Sequence, residues 1–264
     1  MSSNPLTLAV DVGGTGVKLS LVDGSGRMCG ERVRTPTPYP CRPAALLEAI
    51  ARMAEHLPGY ERISLGFPGV VRGGRIITAP HFGTKKWRGR RFADDLQRRF
   101  GKPARILNDA EVQGLGIVPG HGLELVLTLG TGVGSALFNG GQLAPHLELA
   151  HHPIRGRKTY NDYVGEAARK KIGSKRWNRR VSKVVAIVAR LVNYDVLYLG
   201  GGNSAHVTVR LPENVRLAGN DAGLTGGIRL WDDRVWRALP GNEAEARVTR
   251  LPMRGSAVPD APRQ

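Results

Sequence analysis

Apolar runs separated by glycine turns open the chain. The run from Leu6 to Val12 predicts a buried strand, and the alternation from Val17 to Val22 predicts a second one. The glycine-rich turn at 13–16 joins them, and a third strand is expected near 27–34. A dinucleotide-binding fingerprint needs its glycine turn to open a helix, so the order of strand, turn and strand excludes that motif.

Helical periodicity appears after this hairpin. Pro43 can open a helix whose apolar positions recur every 3.6 residues, and the spacing of Phe92, Leu96 and Phe100 predicts another helix. Strands are predicted over 63–67, ending at Pro68-Gly69, and over 104–107. These elements give the first half of the chain an α/β pattern.

The second half repeats the opening of the first. A short helix is expected from about Ala110, and the remaining predicted elements are strands at 124–129 and 133–138, a helix at 178–192, a strand at 196–199 and a last helix from 222 to about 239. We therefore predict two related α/β halves, residues 1–109 and 110–239, with a cleft between them and a last helix able to pack back on the first half. Residues 240–264 carry prolines without apolar periodicity and are predicted to form a disordered tail.

Composition adds a core and an unusual charge. The 264 residues are 41% hydrophobic, which suffices for a sizeable core, and 39 Lys and Arg against 22 Asp and Glu give a net charge of +17. Such a charge attracts polyanions. Two runs, residues 85–105 and 155–183, carry net charges of +7 and +9, although either could be an ordinary solvated face. Aromatic residues are too sparse to favour nucleic acid as a partner.

Cysteine content and hydropathy indicate a compartment. Two cysteines cannot form a four-cysteine zinc site or a disulfide framework, and the N-terminus lacks the pattern of a secretion signal. The longest apolar run, 184–189, is far shorter than the roughly 20 residues that span a bilayer. We therefore expect a cytoplasmic protein without a membrane partner.

Two glycine turns between strands are candidates for phosphate binding. In Asp11-Val12-Gly13-Gly14-Thr15-Gly16, backbone N–H groups could approach a phosphate while Asp11 holds Mg²⁺, directly or through water. The alternative is a tight hairpin with a chance aspartate beside it. The second turn, in residues 129–134, occupies the equivalent place in the second half. Together the two turns could clamp a phosphoryl chain.

Carboxylates elsewhere are candidates for acceptor chemistry. Asp109, at the end of a predicted strand, could be the general base for a sugar hydroxyl, whereas Asn108-Asp109 could equally be a helix N-cap. Glu148 and His151, three residues apart, could bind vicinal hydroxyls or could be ordinary surface residues.

These segments, in this order, resemble the ROK sugar-kinase family, and the closest branch is that of the polyphosphate glucokinases. The resemblance runs from about Leu8 to Trp231 and includes Leu65-Gly66-Phe67-Pro68-Gly69. It implies an α/β, two-domain actin-like ATPase (ribonuclease H-like) fold with an interdomain cleft. It also implies site roles: Asp109 as catalytic base, Asn108, Glu148, His151, Gly69 and His81 on the sugar, Gly13, Gly14, Thr15, Gly16, Lys18, Gly130, Thr131, Gly132 and Gly134 on phosphate, Gly200, Gly201 and Gly202 beside the nucleotide, and Asp11 on Mg²⁺.

The chain departs from the family pattern at three places. Residues 153–173 contain no cysteine, so no structural zinc is expected. His81 stands where the family usually has Asn, and Asn203 follows the triple glycine in place of an apolar residue.

The resulting hypothesis is a sugar kinase. It would transfer a phosphoryl group from polyphosphate, ATP or both to the 6-hydroxyl of glucose or a close hexose, with Lys170, Lys171, Lys175 and Arg176 as a polyphosphate track. The alternatives are an ATP-dependent kinase of another sugar or amino sugar, and a non-catalytic protein of the same fold that binds sugar or polyanions. The resemblance also makes a homodimer possible.

Overall fold

A hairpin extended by parallel strands forms the sheet of the first half. The computed structural model describes residues 5–219, 221–239 and 242. The elements of this half are β1 (Thr7–Val12), β2 (Gly16–Val22), β3 (Val33–Pro36), α1 (Pro43–Ala54), β4 (Arg62–Phe67), β5 (Val71–Arg72), β6 (Arg75–Ile76), α2 (Thr84–Trp87), α3 (Phe92–Phe100) and β7 (Ala104–Asn108). The sheet order is β3-β2-β1-β4-β7, antiparallel from β1 to β3 and parallel from β1 through β4 to β7.

The second half repeats this topology. Its elements are α4 (Asp109–Ile117), β8 (Leu123–Leu129), β9 (Val133–Asn139), β10 (Gln142–Leu143), β11 (Pro153–Arg155), β12 (Lys158–Thr159), α5 (Tyr160–Val164), α6 (Glu166–Ile172), α7 (Ser174–Val192), β13 (Val196–Gly200), β14 (Val215–Leu217), α8 (Ala222–Thr225) and α9 (Asp233–Ala238), with 3-10 turns at Ser204–His206 and Gly226–Trp231. The sheet order β10-β9-β8-β13-β14 has the same sequence of antiparallel and parallel pairs as the first sheet.

Each sheet packs against its own helices. In the first half the apolar side of α1 covers the sheet, and Phe67, Phe82, Trp87 and Phe92 form an aromatic cluster at its edge. In the second half α7 supplies valines at helical spacing and the fully buried Trp177, whose Nε1 donates to the Val164 carbonyl at 2.9 Å. The two hairpins, β1-β2 and β8-β9, are thereby fixed on rigid layers.

Helix α4 lies where the halves meet, and its glycines allow close approach. A Cβ on Gly114 would lie 2.5 Å from the Phe138 ring, and one on Gly116 would lie 2.8 Å from the Gly226 backbone. At the start of the helix, a Cβ on Gly66 of β4 would lie 3.2 Å from the Cα of Asp109. The absence of side chains at these positions therefore sets where the first turn of α4 lies.

The prediction of one continuous helix from 222 to about 239 is wrong. The segment breaks into α8, a 3-10 turn and α9, because Gly226 and Gly227 pack their backbones against neighbours. A Cβ on Gly226 would lie 2.1 Å from the Val112 carbonyl oxygen, and Ser64 Oγ donates to the Gly227 carbonyl at 2.7 Å. This segment consequently contacts both halves of the molecule.

Other differences from the predicted elements are local. The helix predicted from 178 begins at Ser174, and the third strand spans Val33–Pro36 rather than 27–34, where only Met28 bridges to Val22. The elements β11, β12, α5, α6 and β14 carried no clear apolar periodicity and were not predicted. Of the predicted tail, Asn242 is buried and donates to the Trp236 carbonyl, and the other tail residues lie outside the described residues.

Candidate functional site

A cleft of about 830 Å³ opens between the two hairpins. Its lining brings together most of the residues selected from the sequence: Asp11, Gly13, Gly14, Thr15, Gly16, Lys18, Gly69, His81, Asn108, Asp109, Gly130, Thr131, Gly132, Gly134, Glu148, His151, Lys170, Gly201 and Gly202. Four selected residues do not line it: Gly200, Lys171, Lys175 and Arg176. Residues from distant parts of the chain thus converge on one site.

The two glycine turns face each other across the cleft. Each is closed by a backbone hydrogen bond of 2.9 Å, from Gly13 N–H to the Gly16 carbonyl and from Gly130 N–H to the Gly132 carbonyl. The hydroxyl oxygens of Thr15 and Thr131 lie 3.2 Å apart. A chain of phosphates lying against both turns could therefore accept hydrogen bonds from both halves.

Residues from elsewhere in the second half hold the second turn, and none of them was selected as a site residue from the sequence. Asn161 Oδ1 accepts from the Val133 N–H at 2.7 Å, and Asn203 Nδ2 donates to the Gly130 carbonyl at 3.1 Å. The Glu166 N–H donates to the same carbonyl at 2.9 Å. Asn203 was visible in the sequence only as a departure from the family pattern. Asn161 and Glu166 carry no local signal.

The carboxyl group of Asp109 lies in the cleft at the first turn of α4. Burial and the nearby charge of Asp11 raise its pKa to about 7, against the opposing hydrogen bond from the Ala110 N–H. A carboxyl with a pKa near neutrality can accept a proton during reaction and release it afterwards, as a general base must.

Asn108 has a structural role next to it. Its Oδ1 accepts from the N–H groups of Ala110 and Glu111, which makes it the N-cap of α4. Its Nδ2 donates to the carbonyl of Gly69 at 3.1 Å. A Cβ on Gly69 would lie 2.1 Å from the Thr78 carbonyl oxygen, so the loop that carries Gly69 is packed too tightly for any side chain there. Asn108 therefore acts as a helix N-cap, which was one of the two roles considered for Asn108-Asp109 from the sequence.

Glu148, His151 and His81 also line the cleft. Glu148 Oε1 accepts from the Ala150 N–H at 3.0 Å. The pKa of His81 is lowered by burial and by the neighbouring His151, with Glu148 acting in the opposite sense. His81 also lies against the first glycine turn, since a Cβ on Gly14 would be 3.4 Å from its ring. These three side chains can offer both hydrogen-bond donors and hydrogen-bond acceptors to a polar substrate.

Two residues behind Glu148 were not selected from the sequence. His146 Nδ1 lies 2.7 Å from Glu111 Oε1, and its Nε2 lies 3.6 Å from Glu148 Oε2. Burial disfavours the charged ring, but the hydrogen bond to Glu111 and the negative charges of Glu111 and Glu148 prevail and raise the pKa of His146 to about 9. Burial likewise opposes the ionised form of Glu148, yet His146 holds the pKa of that carboxyl below its usual value.

The surroundings of Asp11 fit a hard divalent cation. Its Oδ2 accepts from Lys18 Nζ at 3.1 Å, and the carboxylate lines the cleft beside the first glycine turn. Gln113 Oε1, also of a cleft-lining residue, is buried without a hydrogen-bond partner. A Cβ on Gly223 would contact both Asp11 and Gln113. A carboxylate and an unpaired amide oxygen are ligand types that Mg²⁺ prefers.

Gly200 supports this arrangement from behind rather than lining the cleft. A Cβ there would lie 2.7 Å from Gln113 Oε1, so the glycine leaves room for the glutamine. Within the described residues, no group of three or more His, Cys, Asp or Glu side chains is placed to hold a metal ion.

The basic runs differ in how they relate to the cleft. None of the cations in residues 85–105 lines it, and five arginines of this run form ion pairs: Arg90, Arg91, Arg98, Arg99 and Arg105. The first run therefore supplies no cation to the lining of the cleft, and five of its nine cations are paired with carboxylates. In the second run, Arg169 and Lys170 line the cleft and pair with Glu166, while Lys171, Lys175 and Arg176 are exposed beyond it.

Two sheets of the same topology, each presenting a glycine hairpin to a shared cleft, define the actin-like class of phosphotransferase folds, as the sequence resemblance implied. The chain belongs to the ROK family, whose model matches residues 7–146. It is 30% identical over 204 residues to the polyphosphate glucokinase of Mycobacterium tuberculosis, covering 74% of this chain and 77% of that one.

Solved structures agree with this assignment. The inorganic polyphosphate/ATP-glucomannokinase of Arthrobacter sp. strain KM superposes with a TM-score of 0.77 at 29% identity, over 86% of this chain and 98% of that one. A ROK glucokinase of Streptomyces griseus, solved with glucose and AMPPNP, superposes with a TM-score of 0.71 at 20% identity, over 85% and 98% of the two chains. The predicted family and fold are thus confirmed. No helix in the described part of the chain is long and apolar enough to cross a membrane.

Proposed function

We propose that this protein is a sugar kinase that phosphorylates the 6-hydroxyl of glucose or a close hexose, with polyphosphate, ATP or both as donor. The observation that carries the proposal is that Asp109, the two glycine hairpins and the Glu148–His151 pair all line one cleft. The relatives named polyphosphate glucokinase and polyphosphate/ATP-glucomannokinase support both the acceptor and the donors.

The roles follow from the positions of the groups. Asp109 accepts the proton of the attacking hydroxyl, while Glu148 and His151 hold the sugar and the amides of both hairpins hold the donor phosphates. When bound beside Asp11 and Gln113, Mg²⁺ supplies positive charge to the donor phosphate oxygens. Closure of the cleft excludes water, which would otherwise compete as acceptor. The homodimer suggested by the resemblance stays a prediction.

One assay matrix tests the proposal. Purified protein is offered glucose, mannose, fructose and N-acetylglucosamine, each with ATP and with polyphosphate, in the presence of Mg²⁺. We expect sugar phosphate from glucose with at least one donor. Product from N-acetylglucosamine alone would instead support the amino-sugar kinase, and no product from any pair would favour the non-catalytic binding protein.

The variant Asp109→Asn then tests the assignment of the base. The side chain keeps its size but cannot accept a proton, so kcat should fall by roughly 10² or more while the Kd for glucose changes little. Turnover equal to that of the wild type would show that Asp109 is not the base.

A further inference from the structure

His146 has one ring nitrogen, Nε2, that lies near Glu148 without a hydrogen-bond partner. Among the described residues, only Gln113 Oε1 and His146 Nε2 are buried side-chain atoms without a hydrogen-bond partner. Both residues line the cleft. Leaving such a group unpaired is unfavourable, so a buried atom of this kind in a binding site is expected to find its partner in the ligand.

The ring of His146 is fixed from behind. Its Nδ1 lies 2.7 Å from Glu111 Oε1, and the two side chains are only 10% and 3% exposed. Glu111 itself lies in the first turn of α4, two residues after Asp109. The contact therefore ties the orientation of the imidazole to the helix that carries the proposed base, and it directs Nε2 away from Glu111.

Nε2 and the Glu148 carboxylate are neighbours that are not hydrogen-bonded to each other. The distance of 3.6 Å between Nε2 and Oε2 is too long for a hydrogen bond. A hydroxyl oxygen can lie within hydrogen-bond distance of both atoms, accepting from an N–H and donating to a carboxylate, because a hydroxyl is both acceptor and donor. Nε2 and Oε2 can therefore offer a donor and an acceptor to one sugar hydroxyl that lies beside the pair.

We propose that His146 is a specificity-determining sugar-binding residue. Its Nε2 donates a hydrogen bond to one hydroxyl of the sugar, and the same hydroxyl donates a hydrogen bond to Glu148. This inference rests on the proposed function, since it assumes a hexose in the cleft. The raised pKa of His146, about 9, supports the proposal, because a doubly protonated ring keeps a proton on Nε2 while Nδ1 donates to Glu111.

Two substitutions of His146 distinguish the roles of its two ring nitrogens. The amide of Asn can replace Nδ1 and keep a donor for Glu111, whereas the amide of Gln reaches the position of Nε2. We therefore expect His146→Asn to raise both the KM and the calorimetric Kd for glucose about tenfold or more, with kcat changed less than about threefold. His146→Gln should recover a substantial part of the lost affinity. The control is His152→Asn, which changes an exposed neighbouring histidine that does not line the cleft.

Monodeoxyglucoses identify the hydroxyl. For the wild type, removal of the hydroxyl bound by His146 should weaken binding about tenfold or more, and in His146→Asn the same removal should cost clearly less, because only the hydrogen bond to Glu148 is then lost. If the folded variant shows the full wild-type penalty at every hydroxyl, or if His152→Asn behaves identically, the proposal is overturned. A wild type that turns over no sugar would instead refute the proposed function, so the two failures are distinguishable.

Discussion

The charge of Asp109 connects activity with stability at the scale of a single residue. Its folded-state pKa of about 7 lies above the ordinary value of 3.8, because the carboxylate is desolvated and lies near Asp11. Only the ionised form can accept the proton of the sugar hydroxyl. We therefore predict that kcat/KM falls about tenfold per pH unit below an apparent pKa near 7. A profile that stays flat from pH 8 to pH 5 would contradict this role.

The same pKa makes a prediction about folding that needs no substrate. The folded protein binds the Asp109 proton more tightly than the unfolded chain does, so the contribution of Asp109 to stability is lost as the pH rises from about 4 to 7. Asp109→Asn has no charge to bury. In EDTA, which leaves Asp11 without a cation, the variant should melt on the order of 3 °C or more above the wild type at pH 8. The difference should vanish near pH 4, and its absence at pH 8 would contradict the raised pKa.

Helix α4 connects the catalytic residue to the rest of the molecule at the scale of elements. Its first turn carries Asp109 and Glu111, and its later turns meet the 3-10 turn Gly226–Trp231 backbone to backbone. A glycine contact of this kind leaves no space for even one methyl group. The position of the first turn therefore depends on a contact far along the chain from Asp109.

We predict that Gly226→Ala is strongly destabilising. The new Cβ would lie 2.1 Å from the Val112 carbonyl oxygen and 2.8 Å from the Gly116 nitrogen, and neither backbone atom can move without shifting α4. The free energy of unfolding in urea should fall by about 3 kcal/mol, and kcat should fall with it as Asp109 moves. The control Gly59→Ala adds a Cβ with nothing within 4 Å and should leave both quantities unchanged or slightly improve stability. Equal stability of the two variants would show that the contact is not tight.

Local sequence rules could predict most of the longer strands and helices and the glycine turns, because each of these is made by neighbours in the chain, but not short elements such as β11, β12 and α5. The helix predicted from 222 failed because the packing of Gly226 and Gly227 overrides the local pattern. The contacts that shape the site also escaped prediction. His146 and Glu111 are 35 residues apart, and Asn161 and Val133 are 28 apart, so only the fold brings them together.

At the scale of the whole molecule, the net charge of +17 comes mostly from two basic runs, residues 85–105 and 155–183, whose surroundings differ. In residues 85–105 five arginines pair with carboxylates of their own surroundings, and none of the run reaches the cleft. In the second run, Lys170 lines the cleft and Lys171, Lys175 and Arg176 are exposed beyond it on α6 and the first turn of α7. ATP is short enough to end within the cleft, whereas a long polyphosphate must leave it.

This difference predicts that donor length decides the effect of the second run. The fourfold variant Lys170→Gln, Lys171→Gln, Lys175→Gln and Arg176→Gln should raise the KM for long-chain polyphosphate about tenfold, because it removes cations that attract the part of the chain outside the cleft. The KM values for ATP and tripolyphosphate should change little, and the effect on long chains should shrink as salt screens the exposed charges. The matched control removes four exposed cations of the first run, Lys85, Lys86, Arg88 and Lys102, none of which lines the cleft. Equal losses for all donors, or equal losses in both variants, would mean that the charge acts through the whole surface and that α6 and α7 carry no polyphosphate track.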